Sequence, residues 1–501
     1  MTRRRRRRLI ALFLVLTAAA ALSRARVPVV RQALSALGVP MRWWARGDGV
    51  FEVRPYLQPG GDSPDAATDG LSLIWQTADA EALWSLDVRR DPGGPWEAAP
   101  EPTFRKLALH GERPARLFHA ALPRLEPGSP FSYRVKRSGA PVFEATAHAR
   151  PAAGRPQRFV VVGDVGAGTY EQQAVAYQVY RARPDYVVVT GDVVYQRGRG
   201  SEYLDRFFPV YNDDRAASDS GAPQMRSTLM FAAPGNHDLV DRDLDRLPDG
   251  LAYFYYFDPP RNGPLRTSGS PGTPTLKGAA DRQRAFLDAA GSAYPVAASY
   301  SLELGDVHWT VLDANPYADW TDPALSSWLE ADLASPAARR AAWRFVAMHH
   351  PMFNSSHAHA DDQRMRVIAP AVERGKVDVV FAGHVHNYQR TRPVRFEPAS
   401  AGTASPYGKG GRVEGRLTID RRFDGVARTR PDGPIYVVTG AGGARLYDTR
   451  QGKDEASWQP FTVRFVSDEH SFTVVDATPT ALTVRQVSAD AVELDRFTVT
   501  R

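Results

Sequence analysis

The 501-residue chain contains no cysteine. Disulfides, thiolate metal sites and a cysteine nucleophile are therefore excluded, and any metal must be held by His, Asp, Asn, Tyr or similar groups. The chain has little lipid-like sequence: its N-terminal apolar run, residues 9–22, is 14 residues long, short for a membrane span. It also lacks the excess of positive charge that a formal net of +7 suggests. Eight arginines (Arg3 to Arg8, Arg24 and Arg26) and no acid fall within residues 1–26, which leaves 55 basic against 56 acidic residues elsewhere. The basic character belongs to one terminal segment and gives no argument for nucleic-acid binding.

A positive start followed by a short apolar run reads as an export signal over residues 1–26, with an uncleaved N-terminal anchor as the alternative. Contact with a membrane is expected only through this segment. Arg6-Arg7-Arg8-Leu9-Ile10 loosely resembles a twin-arginine signal, but six consecutive arginines produce such a match by chance. Residues 27–50 read as a spacer, partly helical around 30–34.

A chain of this length is expected to form more than one domain. From about Phe51 short alternating strands follow one another at 71–77, 84–88, 118–122 and 131–135, separated by Pro/Gly turns and with no helical stretch between them, as in a small β-sandwich. Leu125-Glu126-Pro127-Gly128-Ser129-Pro130-Phe131-Ser132-Tyr133-Arg134-Val135 is similar to the corner and strand of a fibronectin type III domain. Domain bounds of 51–152 and 157–501 follow, joined by Ala152-Ala153-Gly154-Arg155-Pro156. Beyond the linker, 159–162 and 186–189 are continuous apolar runs, as in strands buried on both faces, with a helix over 170–183 between them. Further strands are expected at 229–232, 344–347 and 377–381, and helices at 280–290, 323–334 and 361–374. A hairpin spans 299–312 over Gly305-Asp306, and strands return at 435–439, 471–476, 481–487 and 493–500. Segments 259–279 and 399–411, rich in Gly, Pro and Ser, read as long loops.

Five motifs each follow an apolar run: Gly163-Asp164-Val165-Gly166, Gly191-Asp192-Val193-Val194-Tyr195, Gly235-Asn236-His237-Asp238, Val346-Ala347-Met348-His349 and Gly383-His384-Val385-His386. Ligands in open α/β sheets bind outside the carboxyl ends of strands, so this placement would gather the five into one cluster. Seven of the 12 histidines lie in or beside them. A lone Gly-Asp after a strand is an ordinary turn. Five such motifs with Asn-His and His-x-His among them supply donors for two metal ions, a recurrent device for hydrolysing phosphate esters.

The set resembles the purple acid phosphatases within the calcineurin-like metallophosphoesterases. Gly163-Asp164-x-Gly166 is similar to their first motif, where generic relatives carry Asp-x-His. Gly191-Asp192-x-x-Tyr195 and Gly383-His384-Val385-His386-x-Tyr388 are similar to two others. The resemblance implies an α/β (α+β) two-sheet metallophosphoesterase sandwich behind an N-terminal fibronectin III-like domain. It implies that Asp164, Tyr195 and His386 bind a first metal, Asn236, His349 and His384 a second, and that Asp192 bridges them. Fe(III) is implied at the first site, since a phenolate suits a hard trivalent ion, and Fe(II), Zn or Mn at the second. It implies attack of a metal-bound hydroxide on a small phosphate ester of acid phosphatase type, with activity persisting at acid pH. His237 and His359 are candidates to bind the phosphoryl group and protonate the leaving oxygen, with His357 and His350 as alternatives. Asp238 and Gln389 stand where the family commonly has Glu.

Two other readings remain open: a divalent-metal phosphodiesterase or nucleotidase on the same fold, and a non-catalytic cell-surface binding protein. The Gly402–Lys409 stretch fails as a P-loop, since its glycine spacing is wrong and Gly410 follows the lysine. Gly440-Ala441-Gly442-Gly443 reads as a tight turn, or as a set of backbone amides lining the site. The sequence sets no oligomeric state.

Overall fold

The computed structural model describes residues 49–61, 63, 69–91, 93–239, 241–265, 270, 272–399 and 411–501. The expected signal, the helical turn around 30–34 and most of the 399–411 loop lie outside them. Among the described residues no helix is long and apolar enough to cross a membrane.

The N-terminal part is built of β1 (Val53–Gln58), β2 (Ser72–Ala78), β3 (Trp84–Arg89), β4 (Glu97–Ala98), β5 (Thr103–Leu107), β6 (Ala115–Ala121), β7 (Pro130–Arg137) and β8 (Ala140–His148). They form two four-stranded sheets, ordered β1-β2-β6-β5 and β4-β3-β7-β8. Alternate large residues meet between the sheets: Trp75 stacks on Phe118 at 5.3 Å and Trp84 tilts against both. Burying one such ring contributes roughly 1.5–3 kcal/mol. The opposite face of the first sheet is also covered. Tyr56, Ile74 and Leu117 share a core with Phe208 and the aromatic run 253–257. The Tyr56 hydroxyl donates to the Tyr256 carbonyl at 2.7 Å, and the Tyr256 hydroxyl to Gln76 Oε1 at 2.9 Å. These contacts seat the β region firmly on the rest of the chain.

The larger part adds β9 (Gln157–Val162), β10 (Tyr186–Val189), β11 (Leu229–Ala232), β12 (Tyr300–Leu304), β13 (Val307–Leu312), β14 (Trp343–Met348), β15 (Val379–Ala382), β16 (Tyr388–Thr391), β17 (Val394–Pro398), β18 (Gly415–Ile419), β19 (Ile435–Thr439), β20 (Thr462–Val466), β21 (Ser471–Ala477), β22 (Ala481–Ser488) and β23 (Glu493–Thr500). One sheet runs β11-β10-β9-β21-β22-β23 and the other β12-β13-β14-β15-β19-β16-β20. They pack face to face through aromatic rings. Phe159 lies 5.4 Å from both Trp309 and Phe345, and the Trp309 indole donates to the Tyr186 hydroxyl at 3.1 Å.

Helices cover the outer faces, which is why the central strands are apolar throughout. Helix Tyr170–Arg181 sets Val175, Ala176 and Val179 in one core with Val160, Val162 and Val187. It is capped by Thr169, whose hydroxyl accepts from the Gln172 amide at 3.1 Å, with Glu171 at its positive end and Arg181 at its negative end. Helix Pro323–Leu333 starts with an Asp322 cap and a proline in its first turn. The helix expected over 361–374 divides into a 3₁₀ turn, Arg364–Ile368, and a short α-helix, Ala369–Arg374. Pro370 is the reason: it lacks an amide donor and suits only the start of a helix. Strands β5, β16 and β20 were not expected; each carries arginine or lysine, which masks its β pattern.

Candidate metal centre

Strands β9, β10 and β11 are parallel in one sheet, and β13, β14, β15 and β19 in the other. The loops after β9, β10, β11, β14 and β15 carry the five motifs and are tied to one another by backbone hydrogen bonds. The Asp164 amide donates to the Gly191 carbonyl at 3.0 Å, and Val165 to Asp192 at 3.1 Å. Gly383 donates to His349 at 3.0 Å. Asp164, Asp192 and His384 sit at φ of 61°, 49° and 68°. Non-glycine residues rarely hold this left-handed conformation, and it costs of order 1–3 kcal/mol each. Three such residues at one point mark a site where side-chain placement outweighs local strain.

Gly166 explains how Tyr195 enters. A Cβ there would run into the Val193 carbonyl. Without a side chain the first loop lets the second approach, and the Tyr195 amide donates to the Gly166 carbonyl at 3.1 Å. The phenol then reaches Asp164 Oδ1 at 2.9 Å and His386 Nε2 at 3.1 Å. His386 Nε2 is 3.3 Å from Asp164 Oδ1. This is one cluster of three donors.

The second cluster forms around the Asn236 amide oxygen, with His349 Nε2 and His384 Nδ1 each 3.0 Å from it. Asp192 lies between the clusters. Its Oδ1 is 3.2 Å from His349 Nε2 and accepts from the His237 amide at 2.9 Å. All seven expected ligands are thus brought together. Asp164, Asp192 and His349 are fully buried, whereas His384 and His386 reach the opening.

The donor set fits cations. The far nitrogens of His349 and His386 donate to the carbonyls of Thr190 and Arg445, each at 2.8 Å. Their Nε2 lone pairs therefore face carboxylate oxygens, an arrangement that needs a cation or an added proton between acceptors. Burial disfavours charge on Asp192, yet the neighbouring His349 holds its carboxyl below the usual range and is itself pushed up in return. Burial, then the charges of Asp164 and Asp192, push the Tyr195 phenol far above its ordinary range, so its ionisation requires a positive ion alongside.

His237 tilts against Tyr195 with ring centroids 4.6 Å apart, and its Nδ1 donates to the Gln196 carbonyl at 2.9 Å. Its Nε2 lies 3.9 Å from Asp192 Oδ2, on a side chain that is partly exposed. His359 lies 4.2 Å from the His384 ring, half-buried at the mouth. His350 also lies 4.2 Å from that ring but is 4% exposed, behind the cluster and out of a substrate's reach. His357 is exposed, and its backbone amide is held by Gln451.

Sequence reasoning missed two contributors, Tyr447 and Asp362, and noted a third, Asp238, without a role. Tyr447 donates to the His384 carbonyl at 2.8 Å and lies 4.9 Å from the His386 ring. Asp362 faces His384 Nε2 at 3.5 Å. Asp238 accepts from the amides of Val193, Val194 and Gly235 at 3.1, 3.3 and 2.8 Å, joining the loops that carry Asp192 and Asn236. Burial and then the Asp192 charge push its carboxyl up to about 7. Gln389, the other departure, bonds Asn387 and the Ser355 amide. The amides of Gly440 and Gly442 are taken by the carbonyls of Asn387 and Gly163 and so do not line the site.

The calcineurin-like phosphoesterase profile matches residues 157–388, and the iron/zinc purple acid phosphatase-like protein C profile matches 433–496. Purple acid phosphatase 18 of Arabidopsis thaliana is 23% identical over 418 residues, 81% of this chain and 78% of that protein. Purple acid phosphatase 21 of the same plant is 31% identical over 149 residues, 29% and 27% of the two chains. A phosphoenolpyruvate phosphatase of Allium cepa is 26% identical over 286 residues, 55% and 50%. The chain thus spans most of the first relative's length, about half of the onion enzyme's and about a quarter of the other's. Among solved structures, a purple acid phosphatase from yellow lupin (Lupinus luteus) seeds shares the fold with a TM-score of 0.62 at 17% identity, covering 89% of this chain and 74% of that one. PhoD follows with a TM-score of 0.51 at 14% identity, covering 90% and 89%.

Fold and site together define a metal-dependent phosphoester hydrolase. It is a purple acid phosphatase-like metallophosphoesterase with a calcineurin-like phosphoesterase domain over residues 157–388, and that family implies a dinuclear metal centre.

Proposed function

We propose that the chain hydrolyses phosphate monoesters at a binuclear centre. Asp164, Tyr195 and His386 hold the first ion, Fe(III); Asn236, His349 and His384 hold the second, Fe(II), Zn or Mn; Asp192 is shared. The observation that carries this is the division of these residues into two groups, the first with its three ligand atoms 2.9–3.3 Å apart, the second with two imidazole nitrogens each 3.0 Å from the Asn236 oxygen, and the Asp192 carboxylate between. Once bound, the ions supply Lewis-acid charge for the phosphate oxygens and activate the attacking water.

The side chains do the rest. The backbone carbonyls of Thr190 and Arg445 fix the tautomers of His349 and His386. Gln196 does the same for His237, whose Nε2 is placed to hydrogen-bond the phosphoryl group. His359, on the other side of the mouth, is placed to protonate the leaving oxygen. Residues 51–152 form a fibronectin III-like domain in this reading and 157–501 the catalytic one, and the protein is exported by its N-terminal segment.

The test is turnover of aryl phosphate mono- and diesters by purified protein of measured metal content. A monoester preference by a metal-loaded enzyme supports the reading. A diester preference with divalent ions alone favours the phosphodiesterase or nucleotidase reading. Absence of turnover, with Asp192→Asn and His349→Ala leaving every property unchanged, favours a non-catalytic surface protein.

A further inference from the structure

The three histidines of the centre are not held in the same way. His349 and His386 turn Nε2 inward and rest Nδ1 on a backbone carbonyl. His384 is reversed: Nδ1 faces the Asn236 oxygen at 3.0 Å and Nε2 points away from it. The anion at that end is Asp362, with Oδ2 at 3.5 Å. The His350 and His359 rings both pack against it, each with centroids 4.2 Å away and tilted by 38° and 55°, which limits its freedom to turn. Asp362 belongs to the same turn as His359, its amide donating to the His359 carbonyl at 3.2 Å. One short segment therefore supplies both a ring against His384 and a carboxylate at its far nitrogen.

We propose that Asp362 is a positioning residue for the second ion. It accepts the Nε2–H of His384, fixes the tautomer that leaves Nδ1 free to ligate, and adds negative charge that makes this imidazole a stronger ligand. A carboxylate replaces the carbonyl partners found at the other two histidines, so the second site gains the electrostatic support its neutral donors lack. Asp362's carboxylate is about one-fifth exposed, with the Arg364 charge nearby and His350 Nε2 at 3.9 Å, too far for a hydrogen bond. A partly buried carboxylate gains from a proton donor that meets it, and of the two imidazoles His384 is the nearer. The inference rests on the binuclear reading.

The experiment compares full-length wild type, Asp362→Asn and Asp362→Ala, each carrying iron at the first site, by calorimetric titration with Zn(II). The visible absorption band is followed in parallel as a report on the first site. The expected result is Zn(II) affinity weakened about 10- to 100-fold in Asp362→Ala and less in Asp362→Asn, with the band unchanged. Wild-type Zn(II) affinity in Asp362→Ala would overturn the proposal and leave the binuclear reading standing. So would equal loss of band and Zn(II) binding, which a merely structural role produces. A third equivalent of metal in wild type, lost in Asp362→Ala, would make the His350–Asp362–His384 trio an ion site of its own and also overturn it. A wild type that takes up fewer than two ions would overturn the binuclear reading and this proposal with it.

Discussion

The two halves of the centre use different chemistry. Asp164, Tyr195 and His386 surround one point with a carboxylate, a phenol and an imidazole. Asn236, His349 and His384 surround the other with an amide and two imidazoles. With the phenol ionised, the first half carries two negative charges of its own and the second none. Asp192 adds one between them. A hard trivalent ion gains most from the first half, and a borderline divalent ion is adequately served by the second. The difference begins at Gly166: where a side chain would block the Val193 carbonyl, its absence admits a phenol.

The most damaging way to break the comparison is to remove what the halves share. Asp192→Asn is expected to lower kcat/KM by about 10³-fold or more, ~4 kcal/mol, with loss of at least one ion. Kinetics and metal analysis check this, and near-wild-type turnover would mean Asp192 does not lie between two ions. Asp238→Ala attacks the scaffold that keeps the halves in register. It leaves three amides of two loops without their carboxylate, so a destabilisation of roughly 2–4 kcal/mol is expected in urea unfolding. An unchanged midpoint would show that these amides find other partners.

A pH effect from outside the centre gives a control. His308 bonds Glu303 Oε1 at 2.7 Å and Asp332 Oδ2 at 3.1 Å, joining β13 to helix Pro323–Leu333. Burial works against its charge, but Asp332 and Glu303 together push it up to about 9. A histidine with a raised folded value contributes stability below its unfolded value and loses it as pH rises through about 9. His308→Gln is therefore expected to cost roughly 2–3 kcal/mol in mildly acid solution and little in strongly alkaline solution. Equal cost at both would show that the ion pairs contribute nothing. The smallest effect on rate is expected from Tyr195→Phe, about tenfold, because Asp164 and His386 still hold the first ion and the second half is untouched. Loss of both ions in that variant would make the halves one inseparable unit.

The residues proposed as ligands were legible because each sits within a few residues of a strand's end, where an apolar run meets a Gly-Asp, Asn-His or His-x-His signature. The sheets were legible for the same reason: buried parallel strands such as Phe159-Val160-Val161-Val162 are unbroken apolar runs. What escaped depends on the paths of loops. Asp362 and Tyr447 lie in irregular segments, and nothing local distinguishes Asp362 from its neighbour Asp361. Only the family resemblance put His359 ahead of His350 and His357, because what separates them physically is burial: one behind the cluster, one in solvent, one at the mouth. The short strands β5, β16 and β20 were hidden by their charged residues. In β16, Arg390 is paired with Asp495 of β23, a partner more than a hundred residues away.

The claim that the halves select different ions is tested most directly by metal analysis and visible absorption of the purified wild type beside Tyr195→Phe. The account predicts a metal pair that includes iron, a visible band in the wild type, and loss of that band with the phenol while the second ion stays bound. A colourless, fully active wild type containing only divalent ions would contradict it.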